Sequence, residues 1–456
     1  MRKELYGHEI SVLRDTFRRL LRRHAKTNIV KLIKKTHPAD LALLFRYFND
    51  AEQKTLFNLM DDPEKTAEFL IELDEGIVAP LLEDEEPQRI VQFFRELGSN
   101  DQAYILGLLP EEKAQSIMDL LRAEEQEEVE EIMAYPEDSA GSIMSTDVFT
   151  LNQDTLAKDA IAALQGFEQA EMVFYLYVTD EDNRLAGVIS LRDLVTTKPN
   201  VTLKDIMIKQ VHSVRPETDQ EEVAKIVSRY NYLALPVVDM ENHILGIVTV
   251  DDVVDIIREE ATEDFLQMAG VGKDREILLK STFEESKLRF PWLFATWLGG
   301  IVATVIVTSF GDLLNRIFVL AAFMPIIAGM GGNMGTQSST IVVRGMATGR
   351  VDFGNAFKII LKEIRVGLIL GAFYGLLLGV FAYFRFYDVS PYLGLVVGLS
   401  IYCSMLIATS IGAFVPIFLR RIGVDPAIAT GPFVTTSIDI LGVSIYFLIA
   451  SALLPI

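Results

Sequence analysis

Cysteine is nearly absent from this chain of 456 residues. The single one, Cys403, sits in an apolar run, so no disulfide can form within one chain. Histidine is scarce as well. His8, His24, His37, His212 and His243 all precede residue 291, where a long apolar region begins. A zinc or copper site in that region would want imidazole or thiolate, and only Cys403 supplies either. Basic charge is in deficit: 42 Lys and Arg stand against 63 Asp and Glu. Nucleic acid selects basic surfaces, so no nucleic-acid partner is expected. The N-terminus, MRKELYGHEISVLRDTFRRLLRRH, has no apolar core of signal-peptide type. It reads as a solvated amphipathic helix, with contact between Arg18, Arg19, Arg22 or Arg23 and anionic lipid as the alternative. No GxxxxGK[ST] phosphate cradle occurs, and no His accompanies Ser and Asp in the apolar part. The chain is therefore not expected to be an enzyme.

What is present is unevenly divided. Of the 63 acids, 57 precede residue 291, together with 33 of the 42 bases. Such an acidic surface favours solubility and attracts cations. From residue 291 five apolar stretches follow, at 291–310, 317–343, 360–384, 391–419 and 426–453. Each is long enough to cross about 30 Å of hydrocarbon as a helix. Arg344, Arg350, Lys358, Arg420 and Arg421 lie in the loops after the second and fourth stretches, with Lys362 and Arg365 at the adjoining start of the third; the opposite loops hold Arg316 and Arg385. By the positive-inside rule the N-terminal part is cytoplasmic and the C-terminus lies outside the cell membrane.

Two internal repeats organise the acidic part. Residues 27–137 read as helix throughout, with apolar residues at helical spacing. Within them ADLALLFRYFNDAEQKTLFNLM and QRIVQFFRELGSNDQAYILGLL look like two copies of one helix pair, which predicts a short superhelical stack. Residues 138–260 hold a second repeat. SIMSTDVFTLNQDTL matches DIMIKQVHSVRPETD at an offset of 63, and GVISLRDLV matches GIVTVDDVV at an offset of 59. This pattern resembles a tandem pair of cystathionine-β-synthase-type (CBS) regulatory domains. That resemblance implies an α/β disc that pairs between subunits and an adenine nucleotide such as ATP in its cleft. Asp193 and Asp252 stand where that family's ribose-contacting acid lies.

The closing helix of the second copy continues through DDVVDIIREEATEDFLQMAG. Asp251, Asp255, Glu259 and Glu263 recur at i, i+4, a spacing at which like charges destabilise a helix. The stripe is either a solvated face or one that divalent cations bridge to another domain. VGKDREILLKSTFEESKLRF is expected to form a further helix leading to the membrane.

Two features of the apolar part carry chemistry. MPIIAGMGGNMGTQ, residues 324–337, crowds Pro325, Gly329, Gly331, Gly332 and Gly335 into the second stretch. Proline and glycine there predict an interrupted helix whose freed main chain, Gly332 included, would line a cavity. Asn333 and Gln337 would add amide oxygens. The competing reading is close helix packing through Gly331 and Gly335. Asp439 lies well inside the fifth stretch, and no Lys, Arg or His follows Arg421. A carboxylate at that depth needs a partner, a proton or water. With Asn333 it would complete an oxygen-lined site suited to a hard cation. Asp425, before Pro426, either caps the last helix or draws cations at a pore mouth.

The order of parts, with YPEDSAGSIMS leading into the repeat, PIIAGMGGNMGTQ and Asp439, resembles the MgtE family of magnesium channels and transporters over nearly the whole chain. The resemblance implies a multidomain fold: an all-α N-terminal superhelical domain at 1–137, an α/β CBS pair at 138–200 and 201–260, a connecting helix at 261–290, and an all-α membrane domain of five transmembrane helices at 291–456. It implies a homodimer whose pore, lined by the second and fifth spans, holds Mg²⁺ at the paired acids matching Asp439. Positions Asp252, Asp255, Glu260, Glu263 and Asp264 match the family's regulatory connecting region, and Asp425 its inner-mouth acid. Bound cytoplasmic Mg²⁺ would then close the pore. In the N-terminal domain only Asp101 matches the family's cation-binding turn. The implied activity is Mg²⁺ passage into the cytoplasm down its gradient. Exchange coupled to Na⁺ or H⁺, or a membrane-anchored nucleotide sensor, are the other readings.

Overall fold

The computed structural model describes residues 2–166, 174–272, 274, 277, 280–352 and 354–454. They form two compact units, Met1–Ile257 and Arg258–Ile456. The first unit begins with a run of helices: α1 Arg2–Arg22, α2 Lys26–Lys35, α3 Pro38–Phe45, α4 Asp50–Phe57, α5 Pro63–Ile71, α6 Glu75–Glu83, α7 Pro87–Phe94, α8 Ser99–Gly107, α9 Glu111–Met118 and α10 Ala123–Met133. Pro38, Pro63 and Pro87 each open a helix, where a missing N–H costs nothing. One apolar core joins them, from Phe17 through Phe45, Phe57, Phe69 and Phe94 to Ile132. The helix-pair repeat is real in detail. Gln53 donates its side-chain amide to the Phe45 carbonyl at 2.8 Å, and Gln102 donates to Phe94 at 2.8 Å. The same bond thus recurs in α3–α4 and in α7–α8.

The CBS part comprises α11 Ala140–Ile143, β1 Thr150–Asn152, α12 Ala157–Gln165, β2 Tyr175–Thr179, β3 Leu185–Ser190, α13 Leu191–Thr196, α14 Leu203–Ile206, α15 Gln220–Tyr230, β4 Ala234–Val238, β5 Ile244–Thr249 and α16 Val250–Met268. Strand β1 pairs parallel to β2, and β2 antiparallel to β3. The second copy repeats this in reduced form. Leu151 pairs with Val178 in the first; Val214 bridges Val237 in the second, at the offsets of 63 and 59. Each copy's opening segment bonds to the other copy's closing strand. Ser145 exchanges main-chain bonds with Ile247 at 2.8 and 2.9 Å, and Ile208 with Val188 at 2.9 and 3.0 Å. Gly246 and Gly187 make that approach possible. A Cβ at Gly246 would lie 2.7 Å from the Ser145 carbonyl oxygen, and one at Gly187 3.0 Å from that of Ile208.

The connecting helix expected over 261–290 is interrupted, and among the described residues the further helix expected over 271–290 begins only at Thr282. Helix α16 ends at Met268 in a Schellman motif: Gly270 has φ +72°, its N–H reaches the Gln267 carbonyl, and Val271 N–H reaches that of Leu266. The described residues of 269–281 are not helical. The next helix starts only where Ser281 and Glu284 close a capping box.

The second unit continues with α17 Thr282–Ser309, α18 Gly311–Arg316, α19 Val319–Ala347, α20 Ala356–Phe386, α21 Leu393–Arg421, a 3₁₀ turn Pro426–Ala429 and α22 Pro432–Leu453. Five of these, α17, α19, α20, α21 and α22, are long and apolar enough to cross a membrane. Helix α21 packs against α19, α20 and α22, and α17 lies on α22. Crossing of α20 and α21 depends on Gly375, Gly379, Gly394 and Gly398. A Cβ at Gly375 would lie 2.6 Å from the Gly398 oxygen.

The interrupted helix is a second correction. Residues 324–337 lie inside α19, which is continuous. Its glycines serve contact instead. A Cβ at Gly331 would lie 2.7 Å from Ser404 Oγ, and one at Gly335 would overlap Ile438. Main-chain bonds saved by helix formation outweigh glycine's conformational freedom where no water competes for them.

Candidate functional site

Helices α19 and α22 meet along their small residues, which brings two sequence-selected positions together. A Cβ at Gly332 would lie 3.4 Å from Asp439 Oδ1, in van der Waals contact, so this face of α19 borders the carboxylate. Asp439 is half-buried on α22. Among the described residues it has no hydrogen bond or ion pair. Gly332 is not an unwound carbonyl donor; its oxygen accepts from Thr336 Oγ1 at 3.0 Å. Asn333 and Gln337 are exposed on the next strip of α19. They are four residues apart and so share a face. Two packed apolar helices thus carry polar groups, amides on α19 and a carboxylate on α22, for which hydrocarbon alone would be a poor solvent.

A second cluster joins the end of α16 to the start of the last span. Asp425 caps the 3₁₀ turn by accepting from Ala427 N at 2.8 Å. Its other oxygen accepts from Gln267 Nε2 at 2.8 Å, and the same nitrogen donates to Glu263 Oε1 at 2.9 Å. Gly431 borders the helix end, its Cβ position 3.4 Å from the Gln267 and Met268 carbonyl oxygens. Met268 packs with Val342, Val343, Met346 and Ala427.

The remaining connecting acids do not converge. Asp252, Asp255, Glu260, Glu263 and Asp264 all lie on α16, spread over about 18 Å of helix axis. Asp255 is exposed; the other four are half-buried. Among the described residues no group of three or more His, Cys, Asp or Glu side chains is poised around one metal position.

The two candidate ribose acids share a structural task. Asp193 accepts from Ser190 Oγ at 2.7 Å, and Asp252 from Thr249 Oγ1 at 2.6 Å. Each pair is a helix-opening capping motif, repeated at the offset of 59. Burial raises the Asp252 carboxyl above the usual range, against the two Thr249 bonds that lower it. Asp193 stays exposed, with acceptor capacity for a sugar hydroxyl.

Sequence reasoning missed an aromatic group in the second copy. His212 stacks on Tyr230 with ring centroids 4.5 Å apart, and Tyr230 on Tyr232 at 5.5 Å. His212 Nδ1 lies 2.5 Å from the Tyr232 hydroxyl. Tyr230 and His212 are exposed, which leaves a π face for a purine base. The run RYNYL carried the signal, two aromatics flanking the end of α15, Tyr230 exposed and Tyr232 half-buried.

A family profile described as MgtE, a divalent cation transporter, matches residues 324–449, and one described as the MgtE intracellular N domain matches 36–138. The CBS domain profile matches at 140–199 and 203–259. The magnesium transporter MgtE of Bacillus subtilis is 34% identical over 422 residues, 92% of this chain and 93% of that protein. That of Thermus thermophilus is 36% identical over 439 residues, 93% of this chain and 94% of that protein. The solved cytosolic domain of the Mg²⁺ channel MgtE in complex with ATP aligns at a TM-score of 0.51 and 33% identity, over 53% of this chain and 99% of its own. The soluble part of a magnesium transporter aligns at 0.50 and 28% identity, over 55% of this chain and 99% of its own. Similarity at this level runs through the helical domain, the CBS pair and the apolar helices alike, and the chain belongs to the MgtE family of divalent cation transporters.

Proposed function

We propose that the chain carries Mg²⁺ across the cell membrane into the cytoplasm, down its electrochemical gradient. The observation that carries this reading is Asp439, an acid on an apolar helix with no partner among the described residues, held open to the glycine face of α19. Mg²⁺ surrenders its water reluctantly and is held by few carboxylates through its hydration shell. One carboxylate with neighbouring amides suits that chemistry better than it suits Ca²⁺, which takes six to eight oxygens. A homodimer would double the acid about a two-fold axis and give the exposed Asn333 and Gln337 an aqueous neighbour instead of lipid. An inside-negative potential adds about 2.3 kcal/mol per charge per 100 mV, twice that for a divalent ion.

The relatives named as magnesium transporters support the substrate. Closure is proposed to come from cytoplasmic Mg²⁺ held among Asp252, Asp255, Glu260, Glu263 and Asp264 of α16, acids of the N-terminal domain, and Asp425. The domain map of 1–137, 138–200, 201–260, 261–290 and 291–456 belongs to this proposal, with the N-terminal domains cytoplasmic and the C-terminus outside. The stacked His212, Tyr230 and Tyr232, with Asp193, would take the base and ribose of an adenine nucleotide. The relative solved with ATP supports that assignment. Bound there, the nucleotide supplies no reaction; it would tighten the CBS pair.

The test is Mg²⁺ uptake into proteoliposomes. Asp439→Asn should lower uptake at least tenfold while Asp439→Glu keeps part of it. Wild-type uptake by the Asn variant would refute the site.

A further inference from the structure

Gln267 is 1% exposed, and no element of the proposed pore or sensor requires an amide there. Its nitrogen bonds two carboxylates from different segments, Glu263 one turn earlier on α16 and Asp425 before the last span. Its oxygen, Oε1, is buried without a hydrogen-bond partner. A buried acceptor left unsatisfied is costly, and reversing the amide would bring that oxygen against two carboxylates, which is worse. The orientation is therefore set by the two acids. The helix end that carries Gln267 is also held by packing: Gly270 faces Pro432, and Met268 enters the cluster around Ala427.

We propose that Gln267 is a latch that fastens α16 to Asp425 without a cation, holding the two carboxylates together until Mg²⁺ takes its place between them. The proposal rests on the reading that α16 closes the pore. Two carboxylates drawn to one place repel unless something positive or a donor lies between them. The Gln267 NH₂ group supplies that donor with both of its hydrogens and adds no charge. Mg²⁺ arriving between Glu263 and Asp425 has to displace these bonds, so the latch and the ion compete for the same oxygens. The amide thereby sets how far the pore closes at low internal Mg²⁺.

The full-length protein in proteoliposomes tests this, with Mg²⁺ uptake read at chelated and at millimolar internal Mg²⁺. Gln267→Leu keeps the volume and removes the donors; it should raise uptake at low internal Mg²⁺ about tenfold. Gln267→Lys places a charged donor between the same acids and should lower that uptake below wild type. A residue that only fills space would move both variants in the same direction, and that result overturns the latch, as does wild-type uptake in both. Should the leucine variant fail to fold, the lysine variant decides alone, lowered uptake supporting the latch and unchanged or raised uptake refuting it. Absence of inhibition by millimolar Mg²⁺ in the wild type would instead refute the gating reading, whatever the variants do at low Mg²⁺.

Discussion

At the scale of single residues, Asp439 was legible because a carboxylate deep in an apolar run has few harmless explanations. Asn333 and Gln337 were legible for the same reason, and both lie on an exposed face of α19. Gln267 was not. An amide among acids on a surface helix carries no signal until its burial and its two partners are known. Asp193 and Asp252 were legible as a repeated acid, but the spacing Ser190-x-x-Asp193 and Thr249-x-x-Asp252 also spelled a capping motif, and the capping bonds are formed. His243 supplies a pH-dependent test of the CBS pair. Its hydrogen bond to Asp239 raises the imidazole above its ordinary 6.5, opposed by desolvation, and holds the Asp239 carboxyl below its usual range. The contact contributes fully below the unfolded value and is lost as pH rises through the raised one. An NMR titration of His243 should show a midpoint above 6.5 that returns to it in Asp239→Asn. An unshifted wild-type midpoint would contradict the contact.

At the scale of elements, the repeat offsets of 63 and 59 carried the architecture of the CBS pair, because each copy builds the same ladder from matching positions. The exchange of opening segments between copies was hidden, since one bridge per side leaves no hydrophobic pattern. Helix α19 shows how composition misleads. Five helix-disfavouring residues predicted a break, and the apolar surroundings kept the helix whole. The same residues, read as small-xxx-small, pointed to packing. Gly335→Leu tests that reading. Its side chain would overlap Ile438 and separate α19 from α22, lowering stability by about 1–3 kcal/mol. A thermal melt of the purified protein would register it, and an unchanged melt would mean the two helices are not in close contact. The end of α16 was legible at Ala269-Gly270, but the polar run from Val271 also looked helical, whereas the next helix starts at Thr282 behind its Ser281 cap.

At the scale of the whole molecule, charge divides the chain as the fold does. The acids gather before residue 291 and the apolar helices follow. That division fits the proposed reading of an acidic cation sensor and an apolar transport part. A protein lacking residues 1–257 keeps Gln267, Glu260, Glu263, Asp264 and Asp425 and loses Asp252, Asp255 and the N-terminal acids of the proposed sensor. It should still carry Mg²⁺ into liposomes, and millimolar internal Mg²⁺ should inhibit it less than the full chain. Inhibition equal to that of the full chain would place sensing elsewhere. On the proposed reading α19 and α22 border a water-filled route at Asp439, and thiol accessibility reports on that water. With Cys403 replaced by Ala, Asn333→Cys and Gln337→Cys should react with a charged, membrane-impermeant thiol reagent, and Mg²⁺ should slow the reaction. Phe373→Cys, exposed on the apolar surface of α20, should stay inert. If all three positions are equally unreactive, the polar face of α19 meets no water and the account fails.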